Sequence, residues 1–278
     1  MQTRVLRHAA SEFVPLGQNA AHGLAARHAL VHYRSGAVYS FIPKNACTTM
    51  RLTLAFSNGC VTRREDYPWV DPNSHLFAAT LRELVVTPYS FVILRCPFAR
   101  LASAFLDKIV CKRPPLWALT RLKPEVFDPD TLTFRGFVDL LKERKVLNSD
   151  IHWRPQSHFL VYQDYDGWFQ TEHFSTAVSV LGERIGLEII DARPLTRHGI
   201  DQFDLDASQS YTEVPCWQLA AMQREGQAPS HGALYASDLV KTVAGLYADD
   251  LMLYIERFGE KDLLFGSLPE IESKDQPP

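Results

Sequence analysis

Two short polar segments of the chain contain the side chains best suited to anion chemistry. The first places one lysine and two threonines between an apolar run and a helical stretch, in the order Pro43, Lys44, Asn45, Ala46, Cys47, Thr48 and Thr49. A tight turn here would point successive backbone N–H groups into one concavity, beside the positive end of the following helix. The lysine would add a mobile charge and the threonines would add hydroxyl donors. Such a cradle suits a phosphate or sulfate group.

The second segment spans residues 91–105 and has the same order of apolar run, turn and helix. Arg95 follows the apolar run and Ser103 lies in the predicted helix. Arginine presents a planar fork of donors that fits phosphate oxygens, and serine adds one more donor. We expect Arg95 and Ser103 to converge on one phosphate. For Arg100 we prefer a structural or salt-bridging role.

The elements that must position these segments are two buried strands and two helices. The apolar runs Val38–Ile42 and Ser90–Leu94 predict strands, the second of a kind covered on both faces in a parallel sheet. Helices are predicted over Cys47–Phe56 and Phe98–Lys108, the latter with Pro97 near its start. Each polar segment therefore joins a strand to a helix.

The rest of the chain alternates in the same way and predicts an α/β fold. We expect a single P-loop-like domain with a central, mainly parallel β-sheet flanked by helices. The other predicted elements are strands at Phe159–Tyr162 and Leu187–Ile190, helices at Thr80–Val85, Thr133–Arg144, Phe174–Ile185 and Ser237–Phe258, and loops at Arg63–Ser74 and Cys111–Pro129. The predicted organisation is an N-terminal lead-in over 1–36, the domain over 37–266 and a disordered polar tail over 267–278.

Composition limits the classes of function. The 278 residues are 46% hydrophobic and carry a net charge of −3, so no overall basic field favours nucleic acid. The five cysteines are odd in number and form no CxxC pair, which argues against zinc sites and disulfide frameworks and favours a reducing compartment. The sequence has no secretory signal pattern and no apolar stretch long enough for a membrane span. These features predict a cytoplasmic protein, with a bacterial source as one option, and they predict no oligomeric state.

Together the two segments resemble the nucleotide-binding motifs of sulfotransferases that use 3′-phosphoadenosine 5′-phosphosulfate (PAPS). The first is similar to the PK-x-A-C-T pattern of the carbohydrate sulfotransferase branch (sulfotransferase family 2 type), at Pro43, Lys44, Ala46, Cys47 and Thr48. The second is similar to the 3′-phosphate signature of the family, at Arg95, Pro97, Phe98, Arg100, Leu101, Ser103 and Phe105. It departs from that signature at Cys96, where an acidic residue is usual.

The resemblance implies an enzyme that transfers a sulfuryl group from PAPS to an acceptor hydroxyl, on a carbohydrate or glycoconjugate. The product of the donor would be 3′-phosphoadenosine 5′-phosphate (PAP), and no metal is implied. Residues 44–49 would hold the 5′ phosphosulfate, with Lys44 also acting in catalysis, and Arg95 and Ser103 would hold the 3′-phosphate. Many carbohydrate sulfotransferases of animals are membrane-anchored, which contrasts with the cytoplasmic location predicted above.

The base that accepts the hydroxyl proton has two candidates among the histidines, whose pKa lies nearest neutral pH. His75 lies between the two motifs, as the catalytic histidine does in cytosolic members of the superfamily. His152 lies in a segment that resembles an HW-x-PQ motif of the carbohydrate branch and reads His152-Trp153-Arg154-Pro155-Gln156. We favour His75, with His152 as runner-up, and a carboxylate stays open.

Two other functions compete with this interpretation. A P-loop kinase or nucleotide hydrolase would turn over ATP with magnesium, but the GxxxxGK[ST] pattern is missing and Lys44 precedes the turn. A catalytically silent module would bind PAP or a glycan without transfer. The intact Lys44, Thr48, Thr49, Arg95 and Ser103 argue against the silent module.

Overall fold

Residues 3–195 and 200–266 are described by the structure, a computed structural model of the protein. The strands are β1 (Ala29–His32), β2 (Ala37–Ser40), β3 (Ser90–Leu94), β4 (Gly167–Gln170), β5 (Asp204–Asp206) and β6 (Gln227–Pro229). The helices are α1 (Ala20–Arg27), α2 (Cys47–Ser57), α3 (Val70–Asn73), α4 (Leu81–Val86), α5 (Pro97–Ala104), α6 (Pro114–Leu122), α7 (Phe134–Leu141), α8 (Arg144–Leu147), α9 (Phe174–Ile185), α10 (Cys216–Arg224), α11 (Ser237–Leu246) and α12 (Ala248–Phe258).

The chain folds into two compact units, each made of two stretches of sequence. The first unit comprises Met1–Arg95 and Gln156–Arg197, and the second comprises Cys96–Pro155 and His198–Pro278. The first unit contains the four-stranded sheet β1 to β4. The second unit is mostly helical, with the short parallel pair of β5 and β6.

The sheet of the first unit has the order β1-β2-β3-β4. Strand β1 is antiparallel to β2, while β2, β3 and β4 run parallel. In the register of β2 and β3, Tyr39 lies opposite Phe91. The carboxyl ends of β2 and β3 therefore lie side by side at one edge of the sheet, which is where ligands bind in open α/β sheets.

Burial on both faces explains why β2 and β3 are continuous apolar runs. Every residue of both strands is buried, and the rings of Tyr39 and Phe91 stack with centroids 5.0 Å apart. Met50 and Leu54 of α2 and Leu181 of α9 belong to the same buried cluster. The helices that follow the strands thus supply the apolar cover that a parallel sheet needs.

The segment predicted as an N-terminal lead-in contains α1 and the edge strand β1. Asn19 caps α1, because its side-chain oxygen accepts a hydrogen bond from the His22 N–H at 2.8 Å. The Asn19 amide also donates to the His8 carbonyl at 2.7 Å, which holds the preceding segment against the helix. The domain bounds predicted above stay a prediction, and the predicted tail over 267–278 lies outside the described residues.

Three buried or half-buried histidines are expected to make this unit sensitive to acid. Burial, with help from the charges of Arg7 and Arg34, lowers the pKa of His8 and His32 below the ordinary value of 6.5, and burial alone lowers that of His22. Because the unfolded chain then binds protons more readily than the folded chain, the free energy of unfolding should fall as the pH drops below about 6.5. Chemical denaturation between pH 7.5 and 5.5, where carboxylates stay ionised, measures this slope. A slope of zero or of opposite sign would contradict the prediction.

The second unit packs around a chain of aromatic rings. Phe105 of the π-helical turn Phe105–Val110 packs edge-on against Phe134, with ring centroids 5.1 Å apart. Phe134 in turn contacts Tyr235, and Phe137 contacts Trp153 at 5.5 Å. This cluster fixes α5 and the segment that contains His152 within one core.

Most of the predicted elements are confirmed, and the sheet is mainly parallel as expected. Strand β3 and helix α9 have the predicted bounds, and α2 and α4 differ from theirs by one residue. The predicted helix Ser237–Phe258 is divided into α11 and α12 at Tyr247. The predicted loop Cys111–Pro129 contains α6, which begins with two prolines. Proline is tolerated there because the first N–H groups of a helix have no intrahelical partner.

Both strands predicted after residue 150 are wrong. Gln156–Phe159 forms a 3-10 turn, and Tyr162 makes only an isolated bridge with Leu6. Leu187–Ile190 is not a strand, since the Ile190 N–H donates to the hydroxyl of Thr53 at 3.0 Å instead of to a neighbouring strand. The third parallel strand is β4, whose four residues include a glycine and a glutamine.

Candidate functional site

The loop after β2 has a backbone conformation that is rare for its residue types. Lys44 and Ala46 both adopt positive φ angles, of 74° and 53°. A side chain in this left-handed region costs about 1 kcal/mol or more, and it persists only where the surroundings hold it. Left-handed residues alternating with others also point neighbouring N–H groups into a concavity that binds anions. The two angles fit the predicted cradle, and anion binding by this loop stays a prediction.

Helix α2 begins at this concavity. Its N-cap is Ala46, which has no polar side chain to accept hydrogen bonds from the first turn. The first N–H groups of any α-helix lack intrahelical partners, and they carry the positive end of the helix dipole. The residues of this turn, Cys47 and Thr48, are half-buried and so border the surface. An anion at this end of α2 would therefore be stabilised.

Asn45 lies between the two left-handed residues and is fully buried. Its backbone N–H donates to the Ile42 carbonyl at 3.1 Å. Its side-chain amide donates to the Ile93 carbonyl of β3 at 2.9 Å and to the side-chain oxygen of Gln156 at 2.6 Å. These contacts direct Asn45 inward, so the side chain holds the loop to the sheet.

Arg95 follows β3 and lies beside the same loop. One guanidinium nitrogen donates to the Lys44 carbonyl at 3.0 Å. The backbone of Arg95 pairs with Gln156 in both directions, its N–H donating at 3.1 Å and its carbonyl accepting at 2.9 Å. The structure therefore brings Lys44, Asn45 and Arg95 together, as expected for motifs that follow adjacent parallel strands.

The two threonines of the loop have different surroundings. Thr49 is buried, and its hydroxyl accepts a hydrogen bond from the Ala192 N–H at 3.3 Å. Thr53, one turn later, holds Ile190 in the same way. Thr48 is half-buried and lies nearer the surface. Of the two predicted hydroxyl donors, Thr48 is the better placed for a ligand, while Thr49 anchors the chain beyond α9.

In the second unit, Ser103 lies on α5 and is half-buried. Its predicted convergence with Arg95 stays a prediction. Arg100 of the same helix is buried, and its guanidinium donates to the carbonyls of Arg154 at 2.8 Å and Ile151 at 3.1 Å. These hydrogen bonds give Arg100 a structural role, as predicted from the sequence. Cys96 is buried as well, and its sulfur accepts a hydrogen bond from the Leu264 N–H.

The segment that Arg100 holds contains His152. The Nδ1 atom of His152 lies 2.6 Å from a carboxylate oxygen of Asp150, and the His152 backbone N–H donates to the same oxygen at 2.9 Å. Burial by itself would raise the pKa of Asp150, but the hydrogen bonds from His152 and the charge of Lys108 outweigh it and hold the pKa below its usual value. An ionised carboxylate thus orients the ring and stabilises a positive charge on it.

The neighbouring residue Trp153 fixes this segment from the other side. It is buried, its indole N–H donates to the Val146 carbonyl at 2.9 Å, and its own carbonyl accepts from the Tyr247 hydroxyl at 2.5 Å. Tyr247 lies between α11 and α12, so the junction of these helices helps to hold the segment. The conformation of His152 is fixed by its surroundings.

His75 has a different environment, in the first unit. It is exposed on the 3-10 turn Ser74–Phe77, and its carbonyl accepts a hydrogen bond from the Ala78 N–H at 3.1 Å. Among the residues that the structure describes, no carboxylate pairs with its ring. The two histidines predicted as a base are thus unlike, one exposed and one held by a carboxylate.

Sequence reasoning did not assign a role to Gln156. It was named only as the last letter of the HW-x-PQ segment, yet its side chain contacts both polar loops of the first unit. The signal that could have found it is its type: a glutamine that is 1% exposed must have hydrogen-bond partners.

Comparisons with known proteins identify the family of the chain. A model of the sulfotransferase family matches residues 27–182, which is more than half of the chain and includes both motifs. The chain therefore belongs to the sulfotransferase family. It is also similar to carbohydrate sulfotransferase 12 of Xenopus laevis, with 25% identity over 171 residues. That match covers 46% of this chain and 40% of the relative. No solved structure matches the chain.

The comparison corrects the predicted cytoplasmic location, which is wrong. The matching relative is an animal carbohydrate sulfotransferase, and many such enzymes are membrane-anchored. The prediction relied on the lack of an apolar anchor in the sequence, and that lack does not define a compartment.

Within residues 3–195 and 200–266, no helix combines the length and apolar character that crossing a membrane requires. In the same ranges, no group of three or more histidine, cysteine, aspartate or glutamate side chains is placed to hold a metal ion.

Proposed function

We propose that the protein transfers the sulfuryl group of PAPS to a hydroxyl of a carbohydrate. The observation that carries this proposal is the junction of the two loops in the first unit, where Arg95 donates to the carbonyl of the left-handed Lys44. The loop after β2 offers an anion cradle and the loop after β3 offers an arginine. The two strands are parallel neighbours, so their carboxyl ends are adjacent. A nucleotide with anionic groups on both sides of its ribose fits such a pair of sites.

The chemistry proposed is a direct, in-line transfer. The bond between the sulfur and the bridging oxygen of PAPS breaks, a bond from sulfur to the acceptor oxygen forms, and the base takes the hydroxyl proton. The electron pair of the broken bond stays on the 5′-phosphate of PAP, where Lys44 stabilises the growing charge. Cys47, Thr48 and Thr49, at the start of α2, support the 5′ side, with Thr48 the main hydroxyl donor. Arg95 and Ser103 take the 3′-phosphate.

For the base we now place His152 ahead of His75. A general base needs a ring held in one orientation and a means of stabilising the positive charge it acquires. Asp150 supplies both to His152 through the hydrogen bond of 2.6 Å. His75 stays the second candidate, since it belongs to the same unit as Lys44 and Arg95.

A carbohydrate acceptor is proposed from similarity. The relative named above is a carbohydrate sulfotransferase, and the first motif has the form found in that branch. Tyrosine, a lipid-linked glycan and a small metabolite are the other acceptors to compare.

Calorimetric titration of the protein with PAP, 5′-AMP and ATP, each with EDTA and with magnesium, tests the donor site. We expect PAP to bind at least about tenfold more tightly than 5′-AMP, because a hydrogen-bonded charged group contributes more than 1 kcal/mol. Binding of PAP should not depend on magnesium. Magnesium-dependent binding of ATP with no preference for PAP would instead favour a P-loop nucleotide hydrolase.

A further inference from the structure

We propose that Gln156 is a positioning residue that joins the two phosphate-binding loops and so determines the preference for nucleotides that carry both a 3′- and a 5′-phosphate. The proposal rests on the donor site proposed above. It adds a residue outside both nucleotide motifs, and it concerns the spacing of the loops, which neither motif fixes alone.

The geometry around Gln156 connects residues that are far apart in the chain. Its side-chain oxygen accepts hydrogen bonds from the Asn45 amide at 2.6 Å and the Arg95 N–H at 3.1 Å. Its amide nitrogen donates to the Arg95 carbonyl at 2.9 Å. Two N–H donors face the oxygen and a carbonyl faces the nitrogen, so the orientation of the amide follows from its partners.

Each of these hydrogen bonds fixes one of the loops. At Arg95, Gln156 pairs with both backbone groups, as a neighbouring strand would, directly after β3 ends. At Asn45, it holds the residue between the left-handed Lys44 and Ala46, whose conformation persists only with such support. Gln156 is only 1% exposed, so no water can replace it without a change in packing.

The fixed spacing of the loops should strengthen the binding of a ligand with two phosphates more than that of a ligand with one. Its second phosphate meets a site whose distance from the first is already fixed, so binding loses less conformational entropy. A ligand with only a 5′-phosphate contacts one loop and is less sensitive to the spacing. Removing the hydrogen bonds of Gln156 should therefore weaken PAP binding more than 5′-AMP binding.

The test is calorimetric titration of PAP and 5′-AMP on the full chain with Gln156→Met, which keeps the length of the side chain and removes the three hydrogen bonds described above. The matched control is Gln163→Met, at an exposed glutamine of the same unit. We expect the ratio of the dissociation constants of 5′-AMP and PAP to fall about tenfold, because part of the free energy of these hydrogen bonds is lost from PAP binding alone. The control should keep the ratio of the unaltered protein.

An equal loss of affinity for both ligands, or no loss for either, would overturn the proposal, because Gln156 would then act only on stability or not at all. If a thermal melt shows that the Gln156→Met protein is not folded, Gln156→Glu serves instead. Glutamate keeps the acceptor oxygen and lacks the N–H group that donates to the Arg95 carbonyl. A fall of the ratio in Gln156→Glu supports the proposal and an unchanged ratio rejects it. An unaltered protein that does not distinguish PAP from 5′-AMP would reject the donor site itself, and this proposal with it.

Discussion

Replacing Lys44 with alanine is expected to lower kcat for transfer from PAPS about 10²- to 10³-fold, the usual loss when one group that stabilises transition-state charge is removed. In the proposed mechanism the side chain of Lys44 supplies that charge, whereas its backbone carbonyl accepts a hydrogen bond from Arg95. Alanine keeps the carbonyl, so the fold and the arginine contact should survive. Initial rates with labelled PAPS, together with a thermal melt, measure the effect.

The control is Lys145→Ala, which removes an exposed lysine of α8 and should leave the rate unchanged. Lys44→Arg keeps a positive charge but replaces the compact ammonium with a planar fork, and we expect it to recover only part of the rate. Unchanged turnover in a folded Lys44→Ala protein would reject the assignment of Lys44.

Replacing His152 with alanine should lower kcat about 100-fold or more if it is the general base, since such groups contribute roughly 10² to 10⁴. Asp150→Asn should lower kcat in the same direction, because the neutral amide no longer stabilises the positive ring. His75→Ala should then have a small effect on kcat. Rates at saturating PAPS and acceptor, compared across pH, separate the three variants.

The PAP dissociation constant is the internal control for this experiment. It should stay within about twofold of the unaltered value in each variant, because none of the three side chains is assigned to the nucleotide. A large loss of kcat in His75→Ala with normal rates in His152→Ala would reverse the assignment. Normal rates in both would indicate a carboxylate base.

The two central strands of the sheet and the place of the two motifs could be predicted because they follow from local pattern. The apolar run Ser90–Leu94 is bounded on both sides, and it forms β3 without a shift. Strand β4 could not be predicted from Gly167–Gln170, because four residues with one glycine carry almost no strand signal. Its position depends on pairing with β3, which is a long-range interaction.

The parts of the candidate site that the sequence did not predict are conformational or long-range. The residue types of Lys44 and Ala46 do not predict their positive φ angles, since such angles are usual only for glycine. The partners of Gln156 lie 111 and 61 residues away in the sequence, so no local pattern connects them. Asp150 and His152 are only two residues apart, so spacing could have suggested their contact.

The central claim is that this member of the sulfotransferase family transfers a sulfuryl group from PAPS, and transfer of labelled sulfate tests it most directly. The unaltered protein is incubated with labelled PAPS and a panel of glycan, peptide and phenol acceptors, in the presence of EDTA. The account predicts label on a glycan, an equal amount of PAP released, and loss of both in Lys44→Ala. Binding of PAP without label on any acceptor would contradict the account, and so would transfer that Lys44→Ala leaves intact.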